Sequence, residues 1–495
     1  MASPALSATQ VEARPLRRVL VANRGEIAVR VVKACRSLGI ESVVVTSTVD
    51  RDGMAARLAD RAVCIGPPSA GQSYLAIPSV LSAALGTGCD AVHPGYGFLS
   101  ENPEFAAACV NEGLTFVGPR PEAVAQAGDK ARARELARTA GIPTLDGSPI
   151  LETTADAVAA ADALGYPVLV KAAAGGGGRG MSVVEDEAQL RSRFVAAAEE
   201  ARSAFGDGRV YLERFVRNAR HIEVQVLGDK HGTVVHVGER DCTLQRRHQK
   251  VVEESPAPNI PDDVRRDIRR SGVAFARALE LDSAGTVEFI YDADSSDETG
   301  PAGSSEETGP AGSSDETGPA GRQPYAFLEF NARIQVEHPV SELVSGIDLV
   351  AAQLRVAGGA PLGFTQDDVE VTGHAVEVRI TTEDPARGFV PHPGTVSVWE
   401  PPTGEGIRVD SHCEPGYVVT PYYDSLLAKI IAFGPDRDTA IDRMLAALDA
   451  LRVEGVPTTR EFCRAALDHP DFRAGRVTTN WIAEHGLPHY LETRR

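Results

Sequence analysis

From Glu329 to Pro339 the chain reads Glu-Phe-Asn-Ala-Arg-Ile-Gln-Val-Glu-His-Pro. Acid, amide and guanidinium groups recur here at short intervals. In a strand alternate residues share a face, so Glu329, Asn331 and Arg333 point the same way. Two oxygen donors followed by a guanidinium suit a hard divalent cation held beside an anion. Upstream, Gly285-Thr286-Val287-Glu288-Phe289 reads as the neighbouring strand and sets Glu288 opposite. One such carboxylate alone is usually the solvated face of a hairpin. The other motifs decide against that reading.

The first of these is the run Gly175-Gly176-Gly177-Gly178-Arg179-Gly180, which follows a strand ending in Lys171. Backbone amides without Cβ hindrance approach phosphate oxygens closely, and a lysine at the strand end meets the same phosphates. The spacing is not that of a P-loop. Alone, the run reads as a surface loop; with Lys130 upstream and the Glu–Asn–Arg set downstream, it reads as a nucleotide lid. A further cluster, Glu239 to Lys250, contains Gln245, His248 and Lys250, the last opening the apolar pair Val251-Val252. His221 begins a strand, a position more often structural than ligating. Tyr211-Leu212-Glu213 offers backbone and a carboxylate to an adenine edge.

These groups need elements to hold them. Arg18 to Ala22 is a buried-strand run, Glu26 to Leu38 has helical apolar spacing closed by Gly39, and Ser42 to Thr46 is strand-like, which predicts an α/β opening on a parallel sheet. It lacks G-x-G-x-x-G, so no dinucleotide site is indicated. A second unit begins near Gly128-Asp129-Lys130, turns strand-rich from about 210 to 340, and gives way beyond 370 to an α+β closing region. Residues 295–321 are three copies of a nonapeptide, SSDETGPAG, SSEETGPAG and SSDETGPAG. Without an apolar face they cannot stack into a core, and their composition predicts a flexible acidic loop between the strands of Glu288 and Glu329.

A formal charge of −19 and the absence of basic runs argue against nucleic-acid binding. No apolar run reaches the ~18–20 residues that span a bilayer. Met1 to Pro15 lacks the basic-then-apolar order of a secretory signal. Seven cysteines without a C-x-x-C pair fit free thiols in a reducing, cytoplasmic compartment. Lysine is scarce, six residues against 44 arginines, which draws attention to each lysine that remains.

Ala22-Asn23-Arg24-Gly25-Glu26-Ile27-Ala28, His93-Pro94-Gly95-Tyr96-Gly97-Phe98-Leu99-Ser100-Glu101-Asn102, Gly175 to Met181, Gln245 to Lys250, Arg333 to Pro339 and Tyr422-Tyr423-Asp424-Ser425 together resemble biotin carboxylase, the ATP-grasp component of biotin-dependent carboxylases. The similarity runs from about Arg17 to Leu467. It implies an ATP-grasp fold with an N-terminal Rossmann-like α/β domain, a mobile lid and a C-terminal α+β domain. The implied division is a tail over 1–16, an N-terminal domain over 17–129 and an ATP-grasp domain over 130–360, whose lid spans about 146–216. A C-terminal domain over 361–480 and a tail over 481–495 follow.

The implied reaction is carboxylation of biotin by bicarbonate through carboxyphosphate. It uses ATP, two Mg2+ or Mn2+ ions, and biotin on a separate carrier protein. Carried over residue by residue, Glu288, Glu329 and Asn331 take the metals. Lys130, Lys171, the glycines and Arg179 of 175–180, Glu213, His221, Gln245 and His248 take ATP. Lys250, Arg333, Gln335 and backbone Val336 hold bicarbonate, Glu337 is the general base, and Arg379 stabilises the biotin enolate. Without the resemblance, Arg379 reads as a surface strand residue. The chain departs from the family at Ala174, where the lid usually has glycine, at Ala332, usually threonine, and in the repeat.

No methionine has a lysine neighbour, so a biotinylation site of the Met-Lys-Met kind is absent. The expected partners are a biotin carboxyl carrier protein, carboxyltransferase subunits and a second copy of the chain. The resemblance points to acetyl-CoA carboxylase and fatty-acid synthesis, with a propionyl-CoA or other acyl-CoA carboxylase as the alternative. A nucleotide-binding regulatory homologue and an ATP-grasp ligase joining a carboxylate to an amine remain as other classes.

Overall fold

The computed structural model describes residues 14–172, 181–205, 207–296 and 323–493. The glycine run 175–180 and the repeat from 297 to 321 lie outside the described residues. Strands β1 (Arg18–Val21), β2 (Glu41–Ser47), β3 (Arg61–Gly66), β4 (Ala91–His93) and β5 (Thr115–Phe116) form a parallel sheet in the order β3-β2-β1-β4-β5. Val19 and Val21 pack into one apolar cluster and Leu20 into another. A strand covered on both faces needs that continuous apolar run. The strand order reverses between β1 and β4, and loops leaving such a switch point line a crevice. The loops here are those of Asn23-Arg24-Gly25 and of His93 to Asn102.

Strands β6 (Val168–Ala172), β7 (Met181–Val184) and β8 (Val210–Arg214) make a small antiparallel sheet in the order β7-β6-β8. Helices Thr154–Leu164 and Glu187–Phe205 cover it, and the unit has its own apolar core, which includes Val168, Val170, Leu190 and Leu212. Thr153 and Asp156 close the first helix with a reciprocal capping box.

The site lies on the third sheet. Its strands are β9 (Ala219–Gly228), β10 (Val234–Arg246), β11 (Gln249–Ser255), β12 (Ala284–Asp292), β13 (Tyr325–Asn331), β14 (His374–Thr381), Ile407–Ser411 and Leu426–Gly434. The order is β13-β12-β9-β10-β11-β14, then Leu426–Gly434, then Ile407–Ser411 at the edge. Pairing of β11 with β14, from Val252↔Val378 to Ser255↔Ala375, makes one sheet of strands from both sides of residue 360. Helix Asp262–Ala278 packs on this sheet at Gly272, where a Cβ would meet the Val224 side chain at 2.7 Å.

The closing segment, expected as a tail, is helical over Ile482–Gly486 and Leu487–Thr493 and buries Trp481, Ile482 and Tyr490 in the C-terminal core. Those apolar side chains are the reason it docks. At the other end, Arg14 N–H donates to Gly358 O at 2.7 Å, so the chain is anchored before the expected start of the first domain at 17.

Candidate active site

The register of β12 and β13 sets Glu288 opposite Glu329 and Thr286 opposite Asn331. Glu288 and Asn331 are buried, while Glu329 is half-exposed, 3.4 Å from Lys130 Nζ. Lys130 opens the helix Lys130–Thr139, whose first turn is capped by the Asp129 carboxylate accepting from the Ala131 and Arg132 N–H groups. Arg333 ties the run together. Its Nη2 donates to Asn331 Oδ1 at 2.9 Å, its Nη1 to Gln335 Oε1 at 2.8 Å, and its Nε to Glu101 Oε2 at 2.9 Å. Gln335 Nε2 in turn donates to Glu288 Oε1 at 3.2 Å.

Lys250 is the hub. Its Nζ donates to Glu223 Oε2 at 2.5 Å, to Glu288 Oε1 at 3.1 Å, and to Glu337 Oε1. Burial pulls the Lys250 pKa down, but Cys242, Glu223, Glu288 and Glu337 more than reverse it and hold the ammonium well above its ordinary value. Burial likewise raises Glu288, and Lys250 and His221 override it, bringing the carboxylate down to about 2. His221 Nε2 lies 3.1 Å from Glu288 Oε2. Burial works against the imidazolium, yet Glu288 and Glu223 carry its pKa up to about 9.

Glu337 immediately precedes the helix His338–Ser345 and has no exposed surface. Its Oε1 accepts from Lys250, its Oε2 from Arg379 Nη2 at 2.9 Å, and Cys242 Sγ lies 3.8 Å from Oε1. The Arg379 guanidinium also clasps Glu253 through Nε at 2.6 Å and through Nη2. Glu253 and Glu377 are register partners across β11 and β14. Burial, reinforced by Glu337 against the pull of Arg379, pushes Glu253 up to about 7. Burial and the Glu253 charge push Glu377 well above the carboxylate range, and neither of its oxygens has a hydrogen-bond partner among the described residues.

The nucleotide-side residues come from the small sheet and from a hairpin. Lys171 on β6 and Arg134 both reach Glu213 on β8. Gln245 stands opposite Lys250 in the β10–β11 pair. The turn between them places Arg247 at φ 48° and His248 at φ 65°, left-handed values that side chains with a Cβ rarely adopt. Such strain clusters at functional sites. Burial, then the neighbouring Lys171 and His221 charges, lower the His248 pKa.

The sequence motifs did not single out Glu223 or Arg240. Arg240 is fully buried and donates to Glu223 Oε1 at 2.5 Å, Gln225 Oε1 at 2.7 Å, Ser341 Oγ at 2.9 Å and Thr286 Oγ1 at 3.1 Å. Burial would raise Glu223, but Arg240 and Lys250 hold it well below its usual value. A signal for this pair existed in β9: His221, Glu223 and Gln225 alternate with Ile222, Val224 and Val226, a polar face on a fully buried strand.

Two carboxylates and an amide on adjacent strands form an oxygen donor set suited to Mg2+ or Mn2+. One carboxylate is held ionised, and Glu288 and Glu329 stand opposite each other in the β12–β13 pair, so the residues present fit a hard cation.

Comparison with known proteins agrees over most of the chain. The family described as "Biotin carboxylase, N-terminal domain" matches residues 15–124. "Carbamoyl-phosphate synthase L chain, ATP binding domain" matches 129–298 and 319–365, and "Biotin carboxylase C-terminal domain" matches 377–484. The biotin carboxylase of a Nostoc species is 45% identical over 468 residues, 94% of this chain and 98% of that protein. That of Pseudomonas aeruginosa is 46% identical over 469 residues, again 94% and 98%. Among solved structures, the Campylobacter jejuni biotin carboxylase–β,γ-ATP complex superposes with a TM-score of 0.86 at 40% identity, covering 95% of this chain and 99% of the other. The biotin carboxylase domain dimer of Hydrogenobacter thermophilus 2-oxoglutarate carboxylase, in complex with MgADP, ADP and bicarbonate, also reaches 0.86, at 41% identity over 97% and 99%. The chain belongs to the biotin carboxylase family, ATP-grasp carbon–nitrogen ligases that carboxylate biotin with ATP.

Proposed function

We propose that the cleft around Glu337 carboxylates biotin with bicarbonate and ATP through the following division of labour. Lys250, Arg333, Gln335 and the Val336 N–H hold bicarbonate, and Glu337 takes its proton. The freed oxygen attacks the γ-phosphorus of ATP, giving ADP and carboxyphosphate, which breaks down to CO2 and phosphate. The phosphate accepts the biotin N1′ proton, N1′ attacks CO2, and Arg379 stabilises the negative charge on the ureido oxygen. Lys130, Lys171, residues 175–180, Glu213, His221, Gln245 and His248 bind and enclose the nucleotide, and closure keeps water from carboxyphosphate. Glu288, Glu329 and Asn331 would hold divalent cations, which when bound would neutralise phosphate charge.

One observation carries this reading: Glu337 is fully buried between Lys250 on one oxygen and Arg379 on the other. A base in that position reaches both the bicarbonate cations and the group that faces biotin. Biotin is proposed to arrive on a carrier protein, the product passing to a carboxyltransferase, with the chain acting as a homodimer. Acetyl-CoA is the proposed final acceptor. The alternative is propionyl-CoA, favoured by 42% identity to the propionyl-CoA carboxylase alpha chain of Ruegeria pomeroyi over 94% of this chain and 68% of that protein.

The test is phosphate release with Mg2+ and bicarbonate, with and without free biotin, beside Glu337→Gln. Biotin-stimulated release, lowered by about 100-fold or more in the variant, is expected. ATP binding without biotin-stimulated turnover would instead identify a regulatory homologue.

A further inference from the structure

Behind the segment Gln335–Glu337 lies a buried cation that the roles above leave unused. Lys429 stands on the strand Leu426–Gly434, opposite Arg379 on one side and Asp410 on the other. Register partners in antiparallel strands direct their side chains to one face, so Lys429 shares the face of Arg379. It has no exposed surface. Its Nζ donates to Val336 O at 2.7 Å and lies 3.1 Å from Glu26 Oε1. Glu26, in the first turn of the helix Gly25–Ser37, also accepts the Tyr96 hydroxyl on that oxygen. Its other oxygen is buried with no partner among the described residues.

A buried ion pair is seldom worth more than apolar packing of the same volume, so stability alone gives no reason for a lysine here. Its one backbone partner is informative. Val336 precedes the helix His338–Ser345, where no helical ladder sets the peptide orientation. A charge-assisted hydrogen bond in a low-dielectric interior is strong enough to do so.

We propose that Lys429, braced by Glu26, is a positioning residue that fixes the Val336–Glu337 peptide and so aims the Glu337 carboxylate at bicarbonate. This rests on the assignment of bicarbonate to Lys250, Arg333, Gln335 and Val336. Lys429 touches no substrate; it acts through the backbone, and its loss is felt by bicarbonate and not by ATP.

The experiment compares the full chain with Lys429→Met and with the double variant Glu26→Gln, Lys429→Met, which removes the stranded carboxylate. Initial rates of phosphate release are measured against bicarbonate at saturating ATP and against ATP at saturating bicarbonate, alongside thermal unfolding. In Lys429→Met the KM for bicarbonate rises by about tenfold or more and kcat falls, while the KM for ATP stays within about twofold. The double variant regains the unfolding temperature but not the affinity for bicarbonate.

A folded Lys429→Met with an unchanged bicarbonate KM would overturn the proposal. So would both KM values rising together, or a double variant that recovers bicarbonate affinity along with stability. Failure of both variants to fold would make the pair structural and also overturn it. If the unsubstituted chain shows no bicarbonate dependence, the bicarbonate assignment fails first and takes the inference with it.

Discussion

Arg240 reaches no solvent, yet four side chains converge on it, and its role is to keep Glu223 ionised beneath Lys250. Removing one member of a buried charge network strands the other, a larger cost than the pair's net worth. Arg240→Met is therefore expected to destabilise the chain by about 3 kcal/mol, read as a lower urea midpoint at unchanged slope. A midpoint within error of the parent would show that Lys250 alone compensates Glu223. The same reasoning predicts that Lys250→Met disturbs more than bicarbonate binding, since Glu223, Glu288 and Glu337 lose their shared ammonium. Its kcat for phosphate release should fall by about 100-fold or more, and an effect confined to KM would mean the lysine only binds.

At the scale of elements, β11 carries Glu253 and Glu254 on opposite faces, and the two do different work. Glu253 faces the cleft and clasps Arg379. Glu254 faces the C-terminal helices, accepting from His374 at 2.8 Å and from Arg437 at 2.6 and 2.9 Å, while Arg437 also donates to the Phe472 and Arg473 carbonyls. Burial opposes the Glu254 charge, but His374 and Arg437 bring its pKa down to about 2. A depressed carboxylate contributes stability that is full above its unfolded pKa, near 4.5, and is lost as pH falls toward 2. The contribution is on the order of 3 kcal/mol. The stability gap between the parent and Glu254→Gln should thus be widest at neutral pH and shrink between pH 5 and pH 3. A gap that stays constant with pH would show that packing, not charge, holds this strand to the helices.

For the whole molecule, the continuous sheet matters most. Because β11 pairs with β14, the strand bearing Arg379 is joined to the one bearing Lys250, and the unit with Lys171 and Glu213 is the part left with its own sheet and core. The nonapeptide repeat enters between β12 and β13, at the sheet end away from Asn331. There the two strands are already side by side: Tyr291 pairs with Tyr325, and Asp292 N–H donates to Pro324 O at 2.8 Å. Replacing 295–321 with a short turn needs no rearrangement of the metal-bearing residues, and a shorter loop costs less closure entropy. The excised chain should keep kcat/KM for ATP and bicarbonate within about tenfold of the parent, equivalent to ~1.4 kcal/mol in barrier. A larger loss would give the repeat a role in closure or docking.

Much was legible without coordinates. The α/β opening followed from a strand run buried on both faces, and the face shared by Glu329 and Asn331 followed from a period of two. The scarcity of lysine concentrated the signal: Lys130 meets Glu329, Lys171 Glu213, Lys250 Glu223 and Lys429 the Val336 carbonyl. Local pattern nonetheless does not mark Lys429, Glu223, Arg240 or Glu253 as site residues, and Arg379 reads as a surface residue without the resemblance that makes it catalytic. Each acquires meaning only from a partner far along the chain, Lys429 from Val336 across 93 residues and Arg379 from Glu253 across 126. Local pattern reports which face a side chain takes, but not what stands on that face in the next strand. The sequence by itself determined the chemistry available and the strands that bear it. Strand order and register decided which charges meet, because burial makes an ionised group viable only where tertiary structure supplies its counter-charge.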